Sequence, residues 1–246
     1  MDDNDQLLDK TYGYEALSRI SDKKLEMNIE QMFYIADRKN KSWELETLCR
    51  TKALENLKNL AADKKLFLNV NSNILHDKEF REGFTKSRLN EYGLDSDNII
   101  FEITERVAVM DNDAFLGSIH HYKNQKYGIA IDDVGAGHSG LNTIASVRPH
   151  LIKLDMNLVR GIDQDETKQL LCKAMVDFSK NAGILMIAEG IETEAELKTL
   201  IKLNVDLGQG FFLDVPRIRP IPLSAACPGP DIPFHRRKGR KRSMKP

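Results

Sequence analysis

The sequence predicts an α/β fold of parallel strands, a (β/α)8 TIM-like barrel one strand short of eight. Two observations carry this. Short apolar runs of strand type alternate with longer segments of helical period, and seven such strand runs occur along 246 residues, close to the roughly 250 that a barrel of this kind takes. An open, doubly wound sheet is the other arrangement with this alternation; it is less favoured because no GxGxxG follows any strand candidate.

The elements read as follows. The strand candidates are Tyr12–Leu17, Leu66–Val70, Ile99–Thr104, Gly128–Asp132, Leu151–Asp155, Leu185–Ala188 and Val205–Phe212, each short, apolar and bounded by polar or turn-forming residues. Between them, helical spacing predicts helices over about Leu25–Asp37, Trp43–Ala62, Asp77–Tyr92, Ala114–Asn124, Thr167–Asn181 and Thr193–Leu203. The spacing of Leu45, Leu48, Leu54 and Leu57 is the clearest amphipathic stripe. The segment after Asp133 is short and Gly-rich and signals a helix only weakly. After Phe212 the alternation stops, and six prolines from Pro216 to Pro233 mark an irregular exit.

The domain reading is a short polar segment over residues 1–10, a barrel over 11–222, and a Pro-containing, disordered basic tail over 223–246. The last twelve residues, HRRKGRKRSMKP, hold seven Lys or Arg and no acid; without them the chain carries 29 basic and 37 acidic residues, a net charge of -8. An acidic body argues against nucleic-acid binding by the folded domain and leaves that question to the tail. No apolar run reaches the roughly 18 residues of a transmembrane segment. Cys49, Cys172 and Cys227 are scattered and form no CxxC, so a reduced, cytoplasmic setting is expected.

Chemistry concentrates where the strands end, the face on which barrels of this kind build active sites. The first strand carries Glu15, followed by Arg19. The second carries Asn69. Glu102 lies on the third, with Glu105 just beyond. The fourth ends at Asp132 and Asp133; Lys153 and Asp155 are on the fifth; Glu189 closes the sixth, followed by Glu192; Gln209 lies on the seventh. Any one strand-end carboxylate is ordinarily a cap or a surface ion pair, and an Asp-Asp pair before Gly is often a turn. Recurrence at nearly every strand end is not explained that way. Carboxylates crowded in one cleft raise each other's pKa, and divalent cations relieve that repulsion. Oxygen ligands suit Mg²⁺, Mn²⁺ or Ca²⁺. A pair of ions about 3.5–4 Å apart is suited to phosphodiester hydrolysis, with Asp132 placed to bridge them and Asp133 to hold the second.

Six ordered blocks then resemble a known family. YEALSR (Tyr14–Arg19), FEITE (Phe101–Glu105), IDDVGAGHSGL (Ile131–Leu141), IKLD (Ile152–Asp155), IAEGIET (Ile187–Thr193) and GQGFF (Gly208–Phe212) look like the signature of the EAL domain, the bacterial cyclic-di-GMP phosphodiesterase family. The resemblance covers about residues 11 to 216. It implies a modified (β/α)8 barrel that hydrolyses cyclic-di-GMP to linear pGpG with two Mg²⁺ or Mn²⁺ ions and is inhibited by Ca²⁺. By the same resemblance Glu15, Asn69, Glu102, Asp132 and Asp133 are metal ligands, Asn69 being preferred to Asn71. Lys153 and Glu189 position and deprotonate the attacking water, Gln209 supports the second metal or its water, Arg19 binds phosphate, and Glu105 anchors the loop after the Asp pair. The resemblance also implies a homodimer.

The chain departs from the pattern at three places. Only fourteen residues precede Glu15, where the family carries an additional strand. The resemblance therefore implies a barrel lacking that first strand, or with residues Asp5–Asp9 in its place. Val134 stands where Phe is common, and His138 where Tyr is common. The basic tail is not part of the pattern. A non-catalytic cyclic-di-GMP receptor or interaction module of the same fold is the alternative function.

Overall fold

A computed structural model describes residues 11–22, 24–57, 60–71, 83–104, 112–136 and 140–216. Within them seven strands form one parallel sheet in chain order: β1 (Gly13–Ala16), β2 (Lys65–Asn69), β3 (Ile99–Thr104), β4 (Gly128–Val134), β5 (Leu151–Leu154), β6 (Leu185–Ala188) and β7 (Leu207–Gly208). Sequential parallel order with a crossover between neighbours is barrel topology rather than a doubly wound sheet, whose strand order would reverse. The segment Asp5–Asp9, expected as a substitute for the first strand, and the tail over 223–246 lie outside the described residues.

The helices are α1 (Ile29–Arg38), α2 (Ser42–Asn56), α3 (Phe84–Tyr92), α4 (Asn112–Asn124), α5 (Gly140–Val147), α6 (Met156–Val159), α7 (Glu166–Ala182) and α8 (Glu194–Lys202). Several begin where a side chain satisfies the first free amides. Asn28 and Gln31 form a reciprocal capping box that starts α1 four residues later than the apolar pattern implies. Thr193 and Glu196 form another on α8, and Asp165 caps α7. The helix after Asp133 is present as α5. The one-turn α6 was not expected; Asp155 caps it by accepting from the amide of Asn157 at 2.9 Å.

The last strand is much shorter than the predicted Val205–Phe212. Val205 donates to Leu200 O as α8 closes, while the amides of Leu213 and Asp214 both turn back to Gly210 O. Gly210 also lies so close to Ile191 that a Cβ there would be 2.2 Å from its carbonyl oxygen. An apolar run that reads as strand is here mostly turn, shaped by backbone contact.

Alternation along each strand sorts side chains between two faces. Leu66, Leu68, Ile99, Phe101, Ile129, Ile131, Ile152, Leu154, Met186 and Ala188 face the helices in the main core. Phe67, Ile100, Ala130, Leu151 and Ile187 form a second, smaller apolar cluster with Leu207 packed on it. That cluster lies on the face of the sheet opposite the main core. Two residues further along the same strands come Asn69, Glu102, Asp132, Lys153, Glu189 and Gln209. The period of two therefore lays a polar tier directly above an apolar one.

Candidate active site

Lys153 is the hub of the polar tier. Its side chain is 1% exposed, and its Nζ lies 2.7 Å from Glu102 Oε1, 2.7 Å from Glu189 Oε1, 3.4 Å from Glu15 Oε2 and 3.5 Å from Asp132 Oδ1. Four carboxylates from four strands thus converge on one ammonium supplied by a fifth. Glu15 is held further by two amides: Asn69 Nδ2 donates to its Oε1 at 3.1 Å and Gln209 Nε2 to its Oε2 at 2.7 Å. The neighbouring Asn71 donates its backbone amide to Glu46 instead, within the buried Glu46–Arg50 pair on α2.

Adjacent residues of a regular strand face opposite sides, so two neighbouring aspartates cannot both enter one site unless the strand is irregular. β4 is irregular at this point. Ile131 pairs with Ile152 and Val134 with Leu154, so Asp132 and Asp133 together oppose Lys153. One extra residue against its partner strand is a β-bulge. Asp133 adopts φ +58°, the left-handed region, and its amide donates to Asp132 Oδ1 at 2.9 Å. Carboxylate oxygens of Asp132, Asp133 and Glu189 consequently lie within 4.8 Å of one another.

The electrostatics are those of a site with too much negative charge. Burial pushes Glu102 well above the usual carboxylate range; Lys153 opposes this, while Glu15 and Asp132 add to it. Burial likewise raises Glu189, against Lys153 and with Asp132, to about 7. Burial alone would lower the Lys153 pKa, but the fields of Glu102, Asp132, Glu189 and Glu15 override it and hold the ammonium charged. For Glu15, burial is outweighed by Lys153 and by the hydrogen bonds from Gln209, Asn69 and Lys153, leaving its pKa lowered. The buried Oε2 of Glu102 has no hydrogen-bond partner among the described residues. A desolvated carboxylate oxygen in that state fits a cation ligand. The tier's donor set, all oxygen apart from Lys153, fits a hard divalent ion.

The other predicted residues sit away from this tier. Arg19 is exposed beyond the end of β1, and its guanidinium donates to Ser18 O at 2.9 Å. Asp155 is buried as the cap of α6. Glu192 is exposed and paired with Arg160. Glu105 lies outside the described residues. Sequence reasoning missed Glu196, whose acidic side chain is buried beneath the β6–α8 loop; the only signal for it was a Thr-x-x-Glu spacing, which marks a helix start.

Known proteins are similar to this chain in sequence and fold. The family model for the EAL domain matches residues 5–216. The cyclic di-GMP phosphodiesterase PdeA of Borreliella burgdorferi is 29% identical over 191 residues, 76% of this chain and 28% of that protein. The chain therefore spans about a quarter of the length of this curated relative. Among solved structures, a standalone EAL protein from Vibrio cholerae with cyclic di-GMP bound is 28% identical with a TM-score of 0.69, covering 87% of this chain and 91% of that one. Klebsiella pneumoniae BlrP1 in a manganese and cyclic-di-GMP complex is 28% identical with a TM-score of 0.73, covering 82% of this chain and 51% of that one. On the match across residues 5–216, the chain belongs to the EAL domain family.

Proposed function

We propose that this chain is a metal-dependent phosphodiesterase that opens cyclic di-GMP to linear pGpG. The observation that carries the reading is the convergence of Glu15, Glu102, Asp132 and Glu189 on Lys153 at the carboxyl ends of the strands. In this reading Glu15, Asn69, Glu102, Asp132 and Asp133 hold two Mg²⁺ or Mn²⁺ ions. When bound, the ions supply positive charge to the phosphodiester and acidify the attacking water.

The protein's own groups do the rest. Glu189 accepts the proton of the attacking water; its elevated pKa keeps it basic enough for the task. Lys153 fixes Glu189 and Glu102 in place from below and offsets part of their charge. Gln209 and Asn69 hold the two oxygens of Glu15 in fixed directions. Arg19, on the rim, binds a phosphate of the dinucleotide, and Glu105 anchors the loop after the Asp pair. Residues 11–222 form the catalytic unit and residues 223–246 a basic tail; the unit works in the cytoplasm as a homodimer. No described helix is long and apolar enough to cross a membrane.

The test is direct. Purified protein is incubated with cyclic di-GMP and Mg²⁺ or Mn²⁺, and products are separated by chromatography. Conversion to pGpG that disappears in Glu189→Ala and is suppressed by Ca²⁺ is the expected outcome. Folded protein that binds the dinucleotide in a calorimetric titration without turning it over would make the chain a receptor and overturn the reading.

A further inference from the structure

We infer that Glu196 is a positioning residue for the proposed reaction: its buried carboxylate staples the loop after α6 to the loop after β6, and so sets where Glu189 sits. The inference rests on the phosphodiesterase reading above, and it concerns a residue outside the polar tier.

As the third residue of α8, Glu196 would ordinarily be read as half of a capping box. One oxygen does serve that purpose: Oε2 accepts from the amides of Thr193 at 3.0 Å and Glu192 at 2.9 Å. The other oxygen does something a cap does not need. Oε1 accepts from the amide of Gly161 at 2.8 Å, 35 residues earlier in the chain. The residue is 4% exposed and its three bonds are partly buried, where a charged acceptor is strong.

Those contacts complete a run in which every residue after β6 is held. The amide of Glu189 donates to Leu154 O on β5. Gly190, at φ +70°, sits so close to α6 that a Cβ would be 2.6 Å from Met156 Cβ. Ile191 donates to Gln209 O after β7. Glu192 and Thr193 end on Glu196. On the far side of the staple, Lys168 Nζ donates to Asn157 O at 2.7 Å and Arg160 O at 2.6 Å, fixing the turn that leads to Gly161. Glu189 is thus the first residue of a five-residue span whose near end is tied to β5 and whose far end is tied through Glu196 to Gly161, just after α6. With the far end cut, the span keeps the backbone bonds of Glu189 and Ile191 and the Lys153 ion pair but loses one of its anchors, and a general base displaced from its place loses rate.

Two substitutions separate this from a helix cap. Glu196→Gln keeps one oxygen for the Glu192 and Thr193 amides but turns an NH₂ toward Gly161, cutting the staple while sparing the cap. Glu196→Ala removes both. Amide hydrogen exchange and steady-state hydrolysis of cyclic di-GMP with Mg²⁺ are measured on each. For Glu196→Gln the expected result is exchange at Gly161 raised about tenfold or more, exchange at Leu197 and Leu200 within about twofold of wild type, kcat down about tenfold and KM within about twofold. Unchanged kcat despite faster exchange at Gly161 overturns the inference; so does a joint loss of kcat, KM and α8 protection, which marks a cap alone. Should the wild-type chain show no turnover, the phosphodiesterase reading fails by itself. The exchange measurement still decides the staple: faster exchange at Glu189 and Ile191, whose amides are hydrogen-bonded, in Glu196→Gln supports it, and unchanged exchange there overturns it.

Discussion

Gln209 and Glu15 join the last strand to the first. Gln209 Nε2 donates to Glu15 Oε2 at 2.7 Å across 194 positions of chain. This contact spans the two edges of the seven-stranded sheet, between which the described residues show no ladder pairing. It holds the first carboxylate of the tier against the last strand.

Replacing Gln209 by Ala should therefore loosen the site more than the fold. Loss of a hydrogen bond to a charged group costs about 1.5–3 kcal/mol where the acceptor is left short of donors. The expected outcome is weaker Mn²⁺ binding by calorimetry and lower phosphodiesterase activity, with near-wild-type far-UV circular dichroism.

Lys153 is the cation on which four carboxylates depend. Lys153→Met leaves buried Glu102 uncompensated, and breaking a buried charge cluster this way costs about 3–5 kcal/mol. Thermal unfolding in EDTA should show a large drop in Tm for the variant. Mn²⁺ should restore part of it, because a divalent ion can take over charge compensation; hydrolysis should stay lost. A Tm unchanged in EDTA would contradict the hub role.

Metal binding should also be visible in the wild-type protein without substrate. An ion held at 100 times its Kd stabilises the folded state by about 2.7 kcal/mol, so Mg²⁺ or Mn²⁺ should raise Tm above its value in EDTA. Glu102→Gln, which removes the charge but keeps the shape, should reduce that increment strongly.

The left-handed backbone at Asp133 makes a separate prediction. Asn accepts this conformation readily, whereas a β-branched residue does not. Asp133→Asn should keep stability and lose metal affinity. Asp133→Val should lose metal affinity and also about 1–2 kcal/mol of stability, read by chemical denaturation.

A pH effect is expected away from the site. Burial and then the Lys123 ammonium hold the His150 imidazole below its ordinary 6.5, while its Nδ1 accepts the Ile129 amide at 3.1 Å. The folded state thus favours the neutral ring. The corresponding stability is present above pH 6.5 and is lost as pH falls through the lower folded-state value. Denaturation midpoints between pH 7.5 and 5 should fall less steeply for His150→Asn, which keeps an acceptor that does not titrate.

Much of this site was legible in the sequence because strand alternation is local. Once Ile99–Thr104 is read as a strand, Glu102 must share a face with Ile100, and the same rule carries Lys153 above Leu151 and Glu189 above Ile187. What could not be read depends on partners distant in sequence. The bulge at Asp132–Asp133 exists only relative to the register of β5. The short β7 reflects Gly210 pressed on Ile191, and composition alone makes Val205–Phe212 look like an ordinary strand. Glu196 looks like a helix-start residue because its cap is local, while its bond to Gly161 is not. Asp155 and Glu192 illustrate the converse: acidic residues at the expected strand ends can be occupied by a one-turn helix and by Arg160.

The bulge has a consequence for anyone who engineers this chain. Deleting one residue between Ile131 and Val134 would mend the ladder with β5, remove a left-handed non-glycine residue, and leave a single aspartate opposite Lys153. A screen that rewards heat resistance alone would favour such a change and discard half of the acidic pair. Stabilised variants of this protein should therefore be selected for turnover and thermal endurance together, since at this position the two demands pull the backbone in opposite directions.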